Sequence, residues 1–68
     1  MENNWLVVHT VAQEYEAEII KSILAENNID CVIVNKKDSA YLFGEIELYV
    51  DVEDAFTAKQ FIMNLKSE

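Results

Sequence analysis

Apolar residues run together or alternate over residues 5–10, 31–34 and 46–50, and they recur at helical spacing over 12–27 and again after Asp51. That pattern predicts the order strand, helix, strand, strand, helix, with no closing strand before Glu68. Three strands covered by two helices on one side leave a free sheet edge and a bare sheet face. Such a sheet is stable only when something meets that edge and that face. The order therefore points to association before it names a partner.

Length sharpens the point. At 68 residues the chain is expected to form a single domain, residues 1–68. A domain this small buries only about 60% of the surface its unfolded chain exposes. The usual reinforcements are missing. Cys31 is the sole cysteine and cannot make an internal disulfide, and no Cys/His cluster offers a zinc site. With 51% hydrophobic residues the chain is a folded globular one. A second subunit, giving a homodimer, or a protein partner is the remaining source of stability.

Charge excludes several partners. Thirteen acids against five lysines, with no arginine, give a net charge of −8. A nucleic-acid binder needs basic residues to displace counterions, and an anionic membrane surface needs them too, so neither is expected. The opening Met1-Glu2-Asn3-Asn4 lacks the basic start of a signal peptide, and the apolar run Trp5-Leu6-Val7-Val8 is far too short to span a membrane. A cytoplasmic setting is expected.

The first strand, Trp5-Leu6-Val7-Val8-His9-Thr10, is rich in β-branched and aromatic residues. Its nearly continuous apolar run suggests cover on both faces. In the first helix, Ala12, Tyr15, Ile19, Ile20, Ile23 and Leu24 share one face, opposite Glu14, Glu18 and Lys21. Thr10 and Gln13 have capping-box spacing, and Asn27-Asn28 is a stop, because asparagine tolerates the left-handed cap conformation. Cys31-Val32-Ile33-Val34 is the second strand. In the third, Ile46, Leu48 and Val50 alternate with Glu47 and Tyr49. Asp51 can cap the second helix, with Asp54 at its third position. Ala55, Ala58, Ile62 and Leu65 should meet the sheet, while Phe56 and Met63, with Lys59 between, point away. The expected core is Ile19, Ile23, Leu48, Val50, Ala58 and Ile62.

A right-handed crossover makes the first two strands parallel, and the third can lie between them, antiparallel to both. This is an α+β arrangement, the split βαβ of a ferredoxin-like fold without its last strand: βαββα, with both helices on one sheet face. A simple meander is the alternative strand order. In the split order the first strand is a free, uncharged, hydrophobic edge.

At this point the chain resembles a small bacterial family of putative signal-transducing domains of unknown function. The matching residues are the opening hydrophobic strand, Glu16-Ala17-Glu18, Leu24 and Ile29, Leu48-Tyr49-Val50, and Glu53-Asp54 followed by Ala58. The resemblance covers nearly the whole chain. It implies a fold related to ferredoxin-like and PII-like regulatory domains, and no established catalytic residues. Members often have glycine where this chain has Asn28, which fits a left-handed cap at that position. In PII-like domains the connection between the second and third strands is a regulatory contact loop.

Single residues offer little chemistry. His9, the only histidine, could face Glu47 across the sheet, but one imidazole and one carboxylate are thin for a metal or for acid–base catalysis, and a surface strand histidine is the plainer reading. Cys31 has apolar and acidic neighbours that would raise its pKa, so structural burial is expected. Ser22, Ser39 and Ser67 sit in no nucleophile motif, and no glycine-rich phosphate loop is present. Glu16 falls inside the apolar arc of the first helix, where it can serve the helix N-terminus or contact a partner. The segment 35–44 is richer: Lys36 and Lys37 stand side by side, followed by Tyr41-Leu42-Phe43 and Gly44. Bulky apolar residues in a connection either fold back over the sheet or dock onto another chain.

The function these features support is a non-enzymatic regulatory or protein-interaction module, without cofactor or metal; the resemblance implies a role in signal transduction. The module would self-associate or bind a partner through Trp5, Val7 and His9 on the first strand, Lys36, Lys37, Tyr41, Leu42 and Phe43 in the connection, and Phe56 and Met63 on the last helix. The alternative is a sensor binding a small-molecule ligand, a metabolite, at a subunit interface near Lys36, Lys37 and Tyr41. One histidine, one cysteine and no arginine leave an enzyme few ways to organise transition-state charge.

Overall fold

The computed structural model describes residues 4–36 and 45–66. Its elements are β1 (Trp5–Val11), α1 (Glu14–Glu26), β2 (Cys31–Asn35), β3 (Ile46–Asp51), a short 3-10 turn (Val52–Asp54) and α2 (Ala55–Lys66). The sheet order is β1-β3-β2, and both pairings are antiparallel. The two outer strands thus run parallel on either side of β3, as the split βαββα order requires. The meander is excluded.

Both helices cover one face. Ile46, Leu48 and Val50 are wholly buried there, while their neighbours Glu47 and Tyr49 stay half-exposed on the other. Ala17, Ile20 and Leu24 from α1 and Ala55, Ala58 and Ile62 from α2 join them in one apolar cluster, completed by Val11, Ile29 and Cys31.

Four of the six expected core residues, Leu48, Val50, Ala58 and Ile62, are in that cluster. Ile19 is not: it is 55% exposed, and Ile23 is only half-buried. Tyr15 and Leu65, also assigned to buried faces, are exposed. The period of α1 was legible, but the centre of its buried arc was misplaced. Ala17, one of two alanines on the helix, lies nearly inaccessible over the sheet and sets the rotation toward Ala17, Ile20 and Leu24. That turn carries Tyr15 and Ile19 away from the sheet and leaves Glu16 exposed.

The ends of α1 differ in how they are made. Thr10 belongs to β1, and Gln13 occupies the N-cap without a side-chain capping bond, so no capping box forms. The C-terminal end is built from Asn28, whose φ is 65°. The Ile29 N–H donates to the Leu24 carbonyl at 2.9 Å and the Asn28 N–H to the Ala25 carbonyl at 3.0 Å. These two bonds form a Schellman turn, and the buried Leu24 and Ile29 supply its usual apolar contact. The turn delivers the chain directly into β2. At the start of α2, Asp51 Oδ1 accepts the Glu53 N–H at 2.9 Å and opens the 3-10 turn that leads into the helix.

Candidate functional site

The surfaces of the sheet follow from one irregularity in β1. Trp5, Leu6 and Val7 stand opposite Asp51, Val50 and Tyr49; then the register slips, and His9, Thr10 and Val11 stand opposite Leu48, Glu47 and Ile46. Val8 is the extra residue of a β-bulge. Uninterrupted alternation would have set His9 against Glu47, the pairing expected from sequence. The bulge instead carries His9 to the helix-covered side and leaves Glu47 on the open one. The two groups are not brought together. Half-buried His9 lines two small grooves, one of ≈ 190 Å³ with Val11, Glu16, Ile19, Ile20 and Leu65, and one of ≈ 220 Å³ with Val8, Lys59, Ile62 and Met63. The bulge also seats Val11 in the core.

The face away from the helices takes Trp5 and Val7 from β1, Val32 and Val34 from β2, and Glu47 and Tyr49 from β3. Trp5, Val32, Val34 and Tyr49 line a shallow apolar groove of ≈ 330 Å³. One polar cluster interrupts this face. Tyr49 Oη donates to Glu47 Oε1 at 2.8 Å, and Lys36 Nζ lies 3.6 Å from the same oxygen. The hydrogen bond to the carboxylate, with lesser help from burial and charge, pushes the Tyr49 phenol above its ordinary pKa. Lys36 is thus engaged with Glu47. Lys37, Tyr41, Leu42 and Phe43 lie outside the described residues.

Phe56 and Met63 do not share the open face. They project from α2 at 73% and 62% exposure; Met63 and Lys59 line a groove beside Val8 and His9 of β1, and Phe56, seven residues before Met63, shares its helix face. Trp5 and Val7 therefore flank β1 on one side of the sheet and the Phe56/Met63 stripe flanks it on the other.

The opposite edge has a different character. The Lys36 N–H donates to the Glu45 carbonyl at 2.9 Å, which makes 36/45 a hydrogen-bonded pair. Antiparallel alternation then bonds Val34 to Glu47 and Val32 to Tyr49, and turns the backbone groups of Cys31 and Ile33 away from β3. Above this edge α1 presents Glu14, Glu18 and Lys21, and with Cys31, Val32, Ile33 and Asn35 they form a groove of ≈ 420 Å³. Asn35 Nδ2 donates to Glu14 Oε2 at 2.9 Å and holds that carboxylate at the end of the groove. Burial pushes the Cys31 thiol up, against a smaller opposing pull from Lys21. A thiol so disposed is a packing group, not a nucleophile.

Val32 and Val34 were not singled out in the sequence as surface residues. The signal was present: a continuous apolar strand at a sheet edge must aim every second side chain away from the helices. Among the described residues, no group of three or more His, Cys, Asp or Glu could hold a metal ion, and no helix is long and apolar enough to cross a membrane.

A family profile matches residues 5–66, nearly the whole of this architecture; its description reads "putative prokaryotic signal transducing protein". The chain belongs to that family. Neither the curated proteins nor the solved structures include a match to it. Of the residues that carried the resemblance, Ala17, Leu24, Ile29, Leu48, Val50 and Ala58 all lie in the buried cluster. The family pattern is therefore in large part a packing pattern, and it assigns no chemistry to a side chain.

Proposed function

We propose that this domain is a non-enzymatic interaction module in signal transduction, and that it self-associates through the β1 edge. The observation that carries the reading is the composition and orientation of that edge. The Val52 N–H donates to the Asn4 carbonyl at 2.7 Å, so Asn4/Val52 is a bonded pair. Alternation bonds Leu6 to Val50 and turns the backbone groups of Trp5 and Val7 outward. No side chain of β1 carries a fixed charge that would repel a second strand. Trp5 and Val7 on one side, and Phe56 and Met63 on the other, add exposed apolar surface along the same line. Two copies related by a two-fold axis would pair their Trp5–Val7 segments and bury the indoles. The bulge after Val7 limits the regular pairing to that short stretch, so the apolar flanks supply the rest of the contact.

Sedimentation velocity of the wild type and of Val7→Lys tests this. The expected result is a wild-type dimer that the lysine converts to monomer without a loss of folded structure. A wild-type monomer at tens of micromolar, unchanged by the substitution, would overturn it.

A further inference from the structure

We propose that the other edge, β2, takes an extended peptide segment of a basic partner as a fourth strand. This site is separate from the β1 surface and does not depend on it.

The backbone supplies the first reason. β2 pairs only with β3 among the described residues, and its register runs without a shift from Cys31 to Asn35. The outward N–H and C=O groups of Cys31 and Ile33 can each bond an added strand, which is how extended peptides join sheets. β1 offers no comparable length of regular edge, because its bulge breaks the spacing after Val7.

Side-chain alternation supplies the second. A strand laid beside β2 would place the residues opposite Cys31 and Ile33 on the helix side of the sheet. There they enter the groove under Glu14 and Glu18, both exposed. Residues opposite Val32 and Val34 would extend the apolar open face. The complementary segment therefore alternates Lys or Arg with apolar residues.

Charge decides between a basic partner and a second copy. Two copies pairing β2 across a two-fold axis would bring two α1 helices side by side, each presenting Glu14 and Glu18, with exposed Asp30 at the start of each β2. Lys21, at the same rim, offsets only part of that charge. Like charges so placed oppose self-pairing and select a cationic strand. The net charge of −8 draws such a partner in from a distance.

The test uses a fluorescein-labelled peptide of alternating Lys and Val, its Glu/Val counterpart, and amide hydrogen exchange. The Lys/Val peptide should bind, and exchange should slow at Cys31 and Ile33. Glu14→Lys with Glu18→Lys should weaken binding about tenfold, the size expected for two exposed ion pairs, with thermal unfolding checking that the variant folds. Glu18→Gln, milder for the fold, should weaken it less. Equal binding of the Glu/Val peptide, protection at Trp5 and Val7 instead, or no binding at millimolar peptide would each overturn the proposal. So would protection at Cys31 and Ile33 that rises with concentration in the wild-type protein alone, because it would show a second copy using this edge. Protection at Cys31 and Ile33 reports this site whether or not β1 is an interface.

Discussion

β1 and β2 are both edge strands without a charged side chain and both paired to β3, yet they are guarded by different means. β1 is interrupted by a bulge, and the helix above it shows Phe56 and Met63. β2 is regular throughout, and the helix above it shows Glu14 and Glu18. An edge can be blunted by geometry or by charge in the neighbouring layer. Geometry shortens the pairing and leaves apolar flanks to do the joining. Charge leaves the pairing intact but selects the sign of the partner. The two edges of one small sheet can therefore serve different partners.

The largest effect should come from the strand the edges share. Leu48 is wholly buried at the centre of β3, so Leu48→Ala should cost about 2–5 kcal/mol in denaturant unfolding and weaken both edges together. A loss under about 0.5 kcal/mol, the range of surface sites, would show that β3 is not the common support.

A smaller effect is expected where α1 hands over to β2. Asn28→Ala puts a residue without asparagine's tolerance at φ 65° and should cost about 1–2 kcal/mol, while Asn28→Gly should cost nothing. Equal losses from the two would mean that the asparagine side chain, not the backbone, holds the turn.

Deleting Val8 bears on the comparison most directly. It removes the extra residue and keeps both flanking registers, so β1 becomes a regular edge like β2. Val8 packs partly against the core, and its loss should cost about 1 kcal/mol. Self-association, read by sedimentation, should nevertheless increase. A decrease would make the bulge part of the interface and not a guard against pairing.

The smallest effect is expected on the open face between the edges. The phenol of Tyr49 is held above its ordinary pKa of about 10, chiefly by its bond to Glu47. The folded state thus keeps the proton more tightly than the unfolded one. The stability this contributes is whole below pH about 10 and is lost as pH rises through the folded value. Ultraviolet titration should find Tyr49 ionising later than in Glu47→Gln; coincident curves would show that the bond is not formed in solution.

The element order and the one-sided placement of the helices were legible, because they rest on periods of two and of 3.6 residues that any packing must respect. The split topology was the preferred strand order beside a meander, and the pairings on β3 decided between them. Asn28 was legible for a related reason, since a left-handed backbone admits few residue types. The misplaced members of the core show the limit. Ile19 and Ile20 are adjacent and chemically identical, and only the approach of α1 at Ala17 makes one exposed and the other buried. The candidate surface divided in the same way. Trp5, Val7, Phe56 and Met63 were recognisable as apolar residues without a core place. Their gathering along one edge, and the emergence of Val32 and Val34 beside Tyr49, required the strand order.

Local pattern and backbone chemistry thus settled which segments are strands and helices and how they connect, since both depend on residues close in the chain. Register did not follow from them. Nothing in Trp5-Leu6-Val7-Val8-His9-Thr10-Val11 marks Val8 as the extra residue. Packing calls for a slip between Leu6 and Val11, which seats Val11 in the core opposite Ile46 while keeping Leu6 opposite Val50, and the slip falls at Val8, itself packed partly against the core. That one-residue slip reverses the side of the sheet for every side chain beyond it, parts His9 from Glu47, and leaves β2 as the one regular edge.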